Sequence, residues 1–233
     1  MLTAKHVLYK TNDSWEIISE NTGLLVFLNQ NTNETPVKVI SLDSMKNEWY
    51  KYIAHKNASI DLAMIPIRLE LEKDDVKLID IGNFSLELET LYETNDIFCS
   101  SYQPNISTLS TDGNIKPIIR KGSIARINTD KTYYIDSAVF PWNSWSPVFL
   151  LPSAIQYTSW GISLWWDVNW WKFIWIVNSY VPYLDIAQST QTWRNRIIFE
   201  ENTWLSKISS VDLIKEIISQ GDFQEQEKSI LKK

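Results

Sequence analysis

FPWNSWSPVF, residues 140–149, sets two tryptophans on either side of Asn143 and Ser144. Pro, Asn and Ser are turn formers, and an apolar strand-like run, SPVFLL, begins at residue 146. Paired indoles do not suit such a turn. Tight turns call on backbone conformations that glycine adopts without steric cost.

The same conflict recurs downstream. Ten of the 12 tryptophans fall after residue 140: Trp142, Trp145, Trp160, Trp165, Trp166, Trp170, Trp171, Trp175, Trp193 and Trp204. LWWDVNWWKFIW (164–175) holds five of them around a central Asp and Asn, where a hairpin tip is expected. TQTWRN (190–195) reads as another turn with an indole inside it. Glycine is correspondingly scarce, at 6 of 233 residues, or about 2.6% against the usual 7% or so. With glycine at the ten late positions the total becomes 16, about 6.9%, and each local conflict disappears. The expectation is that UGA codons, read here as tryptophan, are glycine codons in the source organism. Trp15 and Trp49 would remain tryptophan.

The rest of the chain reads as many short strands. They are GLLVFL (23–28), PVKVISL (36–42), DLAMIPIRLEL (61–71), VKLIDI (76–81), IIRKGSIARI (118–127), TYYIDSAVF (132–140), SPVFLL (146–151) and FIWIVNSYV (173–181). Polar clusters such as NQNTNETP (29–36) and QPNISTLSTDGN (103–114) separate them. That pattern predicts an all-β sandwich or barrel. SSVDLIKEIISQG (209–221) differs, with Val211, Ile214, Ile217 and Ile218 at helical spacing. Ser209 would cap it with Asp212 three residues on, Gly221 would stop it, and a polar tail would follow from about residue 222.

Bulk properties exclude several classes. At 233 residues the chain can bury one large core or two small ones. A net charge of −6 disfavours a dedicated nucleic-acid or anionic-membrane binder. No apolar run is long enough for a membrane-spanning helix. Cys99 is the single cysteine, so no internal disulfide can form. No Cys/His cluster suggests a metal, and no cofactor is implied.

With glycine in place of Trp142 and Trp145, the opening stretch becomes G-N-S-G-S-P-V-F. This resembles the nucleophile loop of chymotrypsin-fold serine proteases, nearest the bacterial trypsin-like peptidases of the glutamyl-endopeptidase branch. The resemblance implies that Ser144 is the nucleophile and that the backbone N–H groups of residues 142 and 144 form the oxyanion hole. LTAKHVL (2–8) resembles the family's segment around the catalytic histidine, matching His6 as general base. IDLAMIPI (60–67) resembles its Asp-led strand, matching Asp61 as the residue that orients His6. His55 is the rival base and Asp43 a weaker rival acid. FIWIVNSYV resembles the strand that pairs with substrate, placing Asn178, Ser179 and Tyr180 along that edge, with Ala138 near the pocket floor. No acid stands at that floor, which disfavours Lys/Arg preference. Asn178 stands where glutamyl endopeptidases place a histidine, so specificity stays open.

The resemblance covers roughly residues 2–206. It implies a double six-stranded β-barrel with a C-terminal α-helix. An N-terminal barrel (1–90) would carry His6 and Asp61, a second barrel (91–206) Ser144, and a helix and tail would follow (207–233). The family has about two strands before its histidine, so the first barrel is expected to be incomplete. The expected partner is a protein or peptide substrate. Two alternatives stay open if the tryptophans are real. One is an inactive homologue acting as a binding module, and the other a Trp-rich carbohydrate- or membrane-binding β-domain.

Overall fold

The computed structural model describes residues 1–14, 16–31, 37–45, 51–103, 114–140, 143–152, 155–158, 161–164 and 171–231. Trp142, the expected hairpin tip over 165–170 and most of both long polar linkers therefore lie outside the described residues.

The N-terminal part is built of short pieces. Strand β1 (Leu2–Thr3) leads into a one-turn helix, α1 (Lys5–Leu8), and then β2 (Tyr9–Thr11), β3 (Ile17–Glu20), β4 (Leu25–Asn29) and β5 (Val37–Ser41). Helix α2 (Leu42–Met45), strands β6 (Ile53–Ala54) and β7 (Ala63–Met64) and helix α3 (Ile81–Phe84) complete it. Its strands form three separate sheets: β1-β7-β6, β2-β3 and β4-β5.

The C-terminal part is a closed barrel. Strands β8 (Asp96–Ser101), β9 (Ile118–Ile127), β10 (Thr132–Asp136) and β11 (Pro147–Leu150) are followed by the small hairpin of β12 (Ile155–Thr158) and β13 (Gly161–Leu164). Two long strands, β14 (Lys172–Gln188) and β15 (Asn195–Ser210), finish the sheet. The barrel order is β10-β15-β14-β11-β8-β9, with every pairing antiparallel. At Gly122 in β9 an added Cβ would lie 2.3 Å from the Asp136 carbonyl of β10, so only glycine allows the two strands this approach.

Helices α4 (Val211–Ile218) and α5 (Gly221–Leu231) follow β15. The first is the expected amphipathic helix, burying Val211, Leu213, Ile214 and Ile217. Its details differ from the sequence reading. Ser210, not Ser209, occupies the N-cap, without a side-chain capping bond. The Asp212 carboxylate instead accepts from the Leu88 backbone N–H at 3.2 Å, tying the helix to the single turn at Leu88–Thr90. Gly221 does not end the helical region but begins α5, so the expected polar tail is helical. Its Gln, Glu and Lys residues are good helix formers, and Phe223 anchors it to the core.

Three apolar clusters hold the molecule. Ile97, Ile124, Tyr133, Ile135, Val148, Ile174, Trp175 and Ile208 fill the barrel. Phe149, Phe173 and Ile176 on its outer face pack with α4 and with Ile53 and Leu62 from the N-terminal part. Leu8, Tyr9, Leu42, Tyr52, Ala63 and Ile65 form the third. Leu62 is fully buried in the second cluster, and Asp61 is its chain neighbour.

Two expected strands are corrected. DLAMIPIRLEL shortens to Ala63–Met64. VKLIDI forms no strand: Leu78 is 66% exposed, and Asp80 caps α3 by accepting from the N–H groups of Gly82 and Asn83.

Candidate active site

His6 sits on the single turn of α1, and the Asp61 carboxylate grips it twice. Asp61 Oδ1 accepts the His6 backbone N–H at 3.0 Å, and Oδ2 accepts from His6 Nδ1 at 2.7 Å. The bond to Nδ1 fixes the ring's orientation and tautomer and leaves Nε2 as the basic nitrogen. The Asp61 side chain is 13% exposed and that of His6 47%, so the acid lies beneath a partly open imidazole. The hydrogen bond that His6 donates to Asp61 raises the His6 pKa above 6.5, with burial opposing it and the nearby negative charge adding to it.

Lys5, next to His6 in sequence, is almost fully buried. Its ammonium donates to the carbonyls of Asn57 and Ala58, each at 3.1 Å. Those carbonyls belong to the loop that delivers Asp61, so Lys5 ties α1 to the carboxylate-bearing segment. Sequence reading missed it. Its signal, a lysine beside the histidine, is indistinguishable from an ordinary surface charge until the fold buries it.

Ser144 lies half-buried in a turn between Val139 and β11. Asn143, 1% exposed, holds the turn from inside. Its backbone N–H donates to the Phe140 carbonyl at 2.9 Å, and its side-chain oxygen accepts the Phe140 N–H at 3.0 Å. The far side is stitched to β14: the Trp145 N–H donates to Val177 O at 2.7 Å and the Val177 N–H to Ser146 O at 3.0 Å. Trp145 closes the turn at φ +79°, and its indole lies against the His6 ring with centroids 5.6 Å apart. That contact brings the Ser144 turn to the His6 side of the molecule. Among the described residues no hydrogen bond joins Ser144 to His6.

The rival groups are engaged elsewhere. His55 is buried, with Nδ1 accepting the Asn57 N–H at 3.1 Å and Nε2 facing Glu216 at 3.2 Å. Neither nitrogen is left for proton transfer, and burial lowers its pKa despite the pull of Glu216. Asp43 accepts the Gly23 N–H at 2.6 Å. Cys99 is buried, which pushes its thiol up to about 11 and makes it a poor nucleophile. Among the described residues no group of three or more His, Cys, Asp or Glu could hold a metal ion.

The expected substrate residues lie where β14 loses one partner. Pairing with β11 ends at Ile176, while pairing with β15 continues to Gln188. Among the described residues, the edge from Asn178 onward has no strand beside it on that side. Asn178 is a bulge residue whose side-chain NH₂ donates to Ser209 Oγ at 2.8 Å. Ser179 is exposed, and the Tyr180 hydroxyl donates to Glu200. Ala138 is half-buried, and its neighbours are tied to β15: Ser137 N–H donates to Trp204 O at 3.2 Å and the Asn202 side chain to Val139 O at 2.6 Å.

The tryptophans have local problems of their own. Among the described residues, five non-glycine residues have positive φ, and three are Trp145, Trp193 and Trp204. Such values are outliers for bulky side chains. Trp175 is fully buried in the barrel with its indole N–H unpartnered and its ring 4.2 Å from that of Tyr133. No family model matches the chain, and neither does any curated protein or solved structure.

Proposed function

We propose that the chain is a serine endopeptidase of the chymotrypsin type, with the sheets before residue 90 as its first barrel unit and the closed barrel as the second. The observation that carries this reading is the double grip of Asp61 on His6, which leaves Nε2 as an oriented base beside the Ser144 turn. In the proposed mechanism Ser144 Oγ attacks the scissile carbonyl carbon while its proton passes to His6 Nε2. The carbonyl oxygen becomes an oxyanion, held by the backbone N–H groups of residues 142 and 144. Collapse of the tetrahedral intermediate breaks the C–N bond. The proton moves from Nε2 to the leaving amine, and an ester remains on Ser144. Water, deprotonated by the same nitrogen, releases the acid and restores the serine. Asp61 stabilises the imidazolium and does not itself take the proton. The free edge of β14 from Asn178 is suited to bind substrate backbone as an added strand.

The left-handed backbone of three late tryptophans supports the glycine reading of those positions. The test is fluorophosphonate labelling of the chain with glycine at the ten late Trp positions, alongside its Ser144→Ala variant. Labelling lost in the variant is the expected result; equal labelling of both would refute the assignment.

One observation favours a second reading if tryptophan is the native residue. The Trp145 indole occupies the space beside His6, which suits an inactive homologue that binds rather than cleaves. The described tryptophans give less to a sugar- or membrane-binding platform. Trp175 is in the core, Trp171 packs on Phe98 and Phe149, and Trp204 stands against Phe140.

A further inference from the structure

Beyond Tyr180, β14 and β15 leave the barrel as a two-stranded ribbon. Pairing of β15 with β10 ends at Leu205, and β14 lost β11 at Ile176, so 182–188 and 195–202 pair only with each other among the described residues. A free two-stranded ribbon is marginally stable in water. This one also exposes apolar side chains: Tyr183, Leu184, Ile186, Ile197, Ile198 and Phe199 are each between 43% and 57% exposed. Residues directly opposite share a face, so Tyr183 and Phe199 stand on one side, and Leu184 and the Ile186–Ile198 pair on the other. An exposed apolar concentration of this kind marks a contact surface.

Its charges indicate the occupant. Asp185, Glu200 and Glu201 lie toward the barrel, and Arg194 and Arg196 lie at the tip, with the isoleucines between them. Among the described residues no ion pair joins those arginines to those carboxylates. At about 3.3 Å per residue, Arg196 and Glu200 are about 13 Å apart along the strand. A ribbon acidic at one end and basic at the other is complementary to itself when laid antiparallel. A two-fold axis near Ile186 and Ile198 would set each tip against the other copy's carboxylates and close the apolar middle. The carboxylates also disfavour an anionic lipid surface.

We propose that the β14–β15 ribbon is a docking arm for a second copy of this chain, packed antiparallel about a two-fold axis. The proposal does not depend on peptidase activity, because its readout is association. The experiment is sedimentation equilibrium of the full chain and two charge-reversed forms, Arg194→Glu/Arg196→Glu and Asp185→Lys/Glu200→Lys/Glu201→Lys. The unaltered chain is expected to dimerise. Each reversed form alone should self-associate at least about tenfold more weakly, and an equimolar mixture of the two should recover the dimer. Recovery on mixing also shows that both forms are folded. A monomeric unaltered chain, or no recovery on mixing, overturns the proposal. So does a monomer that cosediments with anionic vesicles through this ribbon, which would assign the surface to a membrane instead.

Discussion

Trp193→Gly is predicted to stabilise the chain, against the usual rule that truncating an aromatic side chain destabilises. Trp193 has φ +54° and is 77% exposed, so it has little packing to lose. A left-handed backbone costs a non-glycine residue about 1–2 kcal/mol. Glycine's greater freedom in the unfolded chain takes back about 0.4–1 kcal/mol. The net expectation is a gain of about 0.5–1 kcal/mol. At Trp204, φ +66°, relief is similar, but the edge contact with Phe140 is lost. An aromatic pair is worth about 0.5–1.5 kcal/mol, so Trp204→Gly should come out near zero. Trp171 is the control. It is half-exposed, has no positive φ, and meets the rings of Phe98 and Phe149. Trp171→Gly should cost about 2–3 kcal/mol, since two aromatic contacts are lost and nothing is relieved. Urea unfolding reads all three as midpoint shifts at constant m. If Trp193→Gly destabilises as much as Trp171→Gly, strain at the late tryptophans is not real and the glycine reading loses its structural support.

The raised pKa of His6 predicts that kcat/KM on a peptide substrate rises with pH through a midpoint above 6.5, because only neutral Nε2 accepts the proton. Asp61→Asn should lower that midpoint and reduce the rate by about 10⁴, read from a pH–rate profile. Lys5→Met should destabilise by about 1–3 kcal/mol in urea unfolding, because the Asn57 and Ala58 carbonyls lose their charged donor. For stability against pH, the two histidines act in opposite senses. His55 has a lowered pKa, so its contribution is complete above 6.5 and lost as pH falls from there through the folded value. His6 has a raised pKa, so its contribution is complete below 6.5 and lost as pH rises through the folded value. His55→Asn should therefore flatten the acid side of the stability curve and His6→Ala the neutral side, both measured by urea unfolding across pH.

The barrel was legible because its strands carry their own signals. IIRKGSIARI was read at 118–127, and those residues are β9. α4 was legible from apolar spacing alone. VKLIDI misled because a run rich in Val, Leu and Ile shows only that a strand could form. It cannot show that a neighbour is present to pair with it, and here Asp80 caps a helix instead. The ribbon was missed for the converse reason. FIWIVNSYV stops at residue 181, but β14 runs to Gln188, held by cross-strand partners that a single segment does not reveal. At the candidate site the spacing of 55 residues between His6 and Asp61 became a direct contact, whereas Lys5 became visible only through burial.

The main-chain bonds of the Ser144 turn do not involve the side chain at 145. Its closure rests on main-chain bonds, Trp145 N–H to Val177 O and Val177 N–H to Ser146 O, and on Asn143 beneath. A positive φ at 145 follows from that closure, and glycine meets it without strain while tryptophan does not. What the side chain changes is the space beside His6. With an indole there, a ring lies 5.6 Å from the imidazole, in space that the proposed mechanism reserves for an attacking hydroxyl and a scissile carbonyl. With glycine, the oriented base and the turn remain and the space opens. On the proposed reading, the choice between peptidase and silent homologue therefore falls on a few side chains around this backbone. The first measurement is accordingly the codons at Trp142 and Trp145. UGA at both, with UGG at Trp15 and Trp49, supports the glycine reading and the proposed open site; UGG at 142 and 145 removes the glycine reading there and favours the proposal of a binding module.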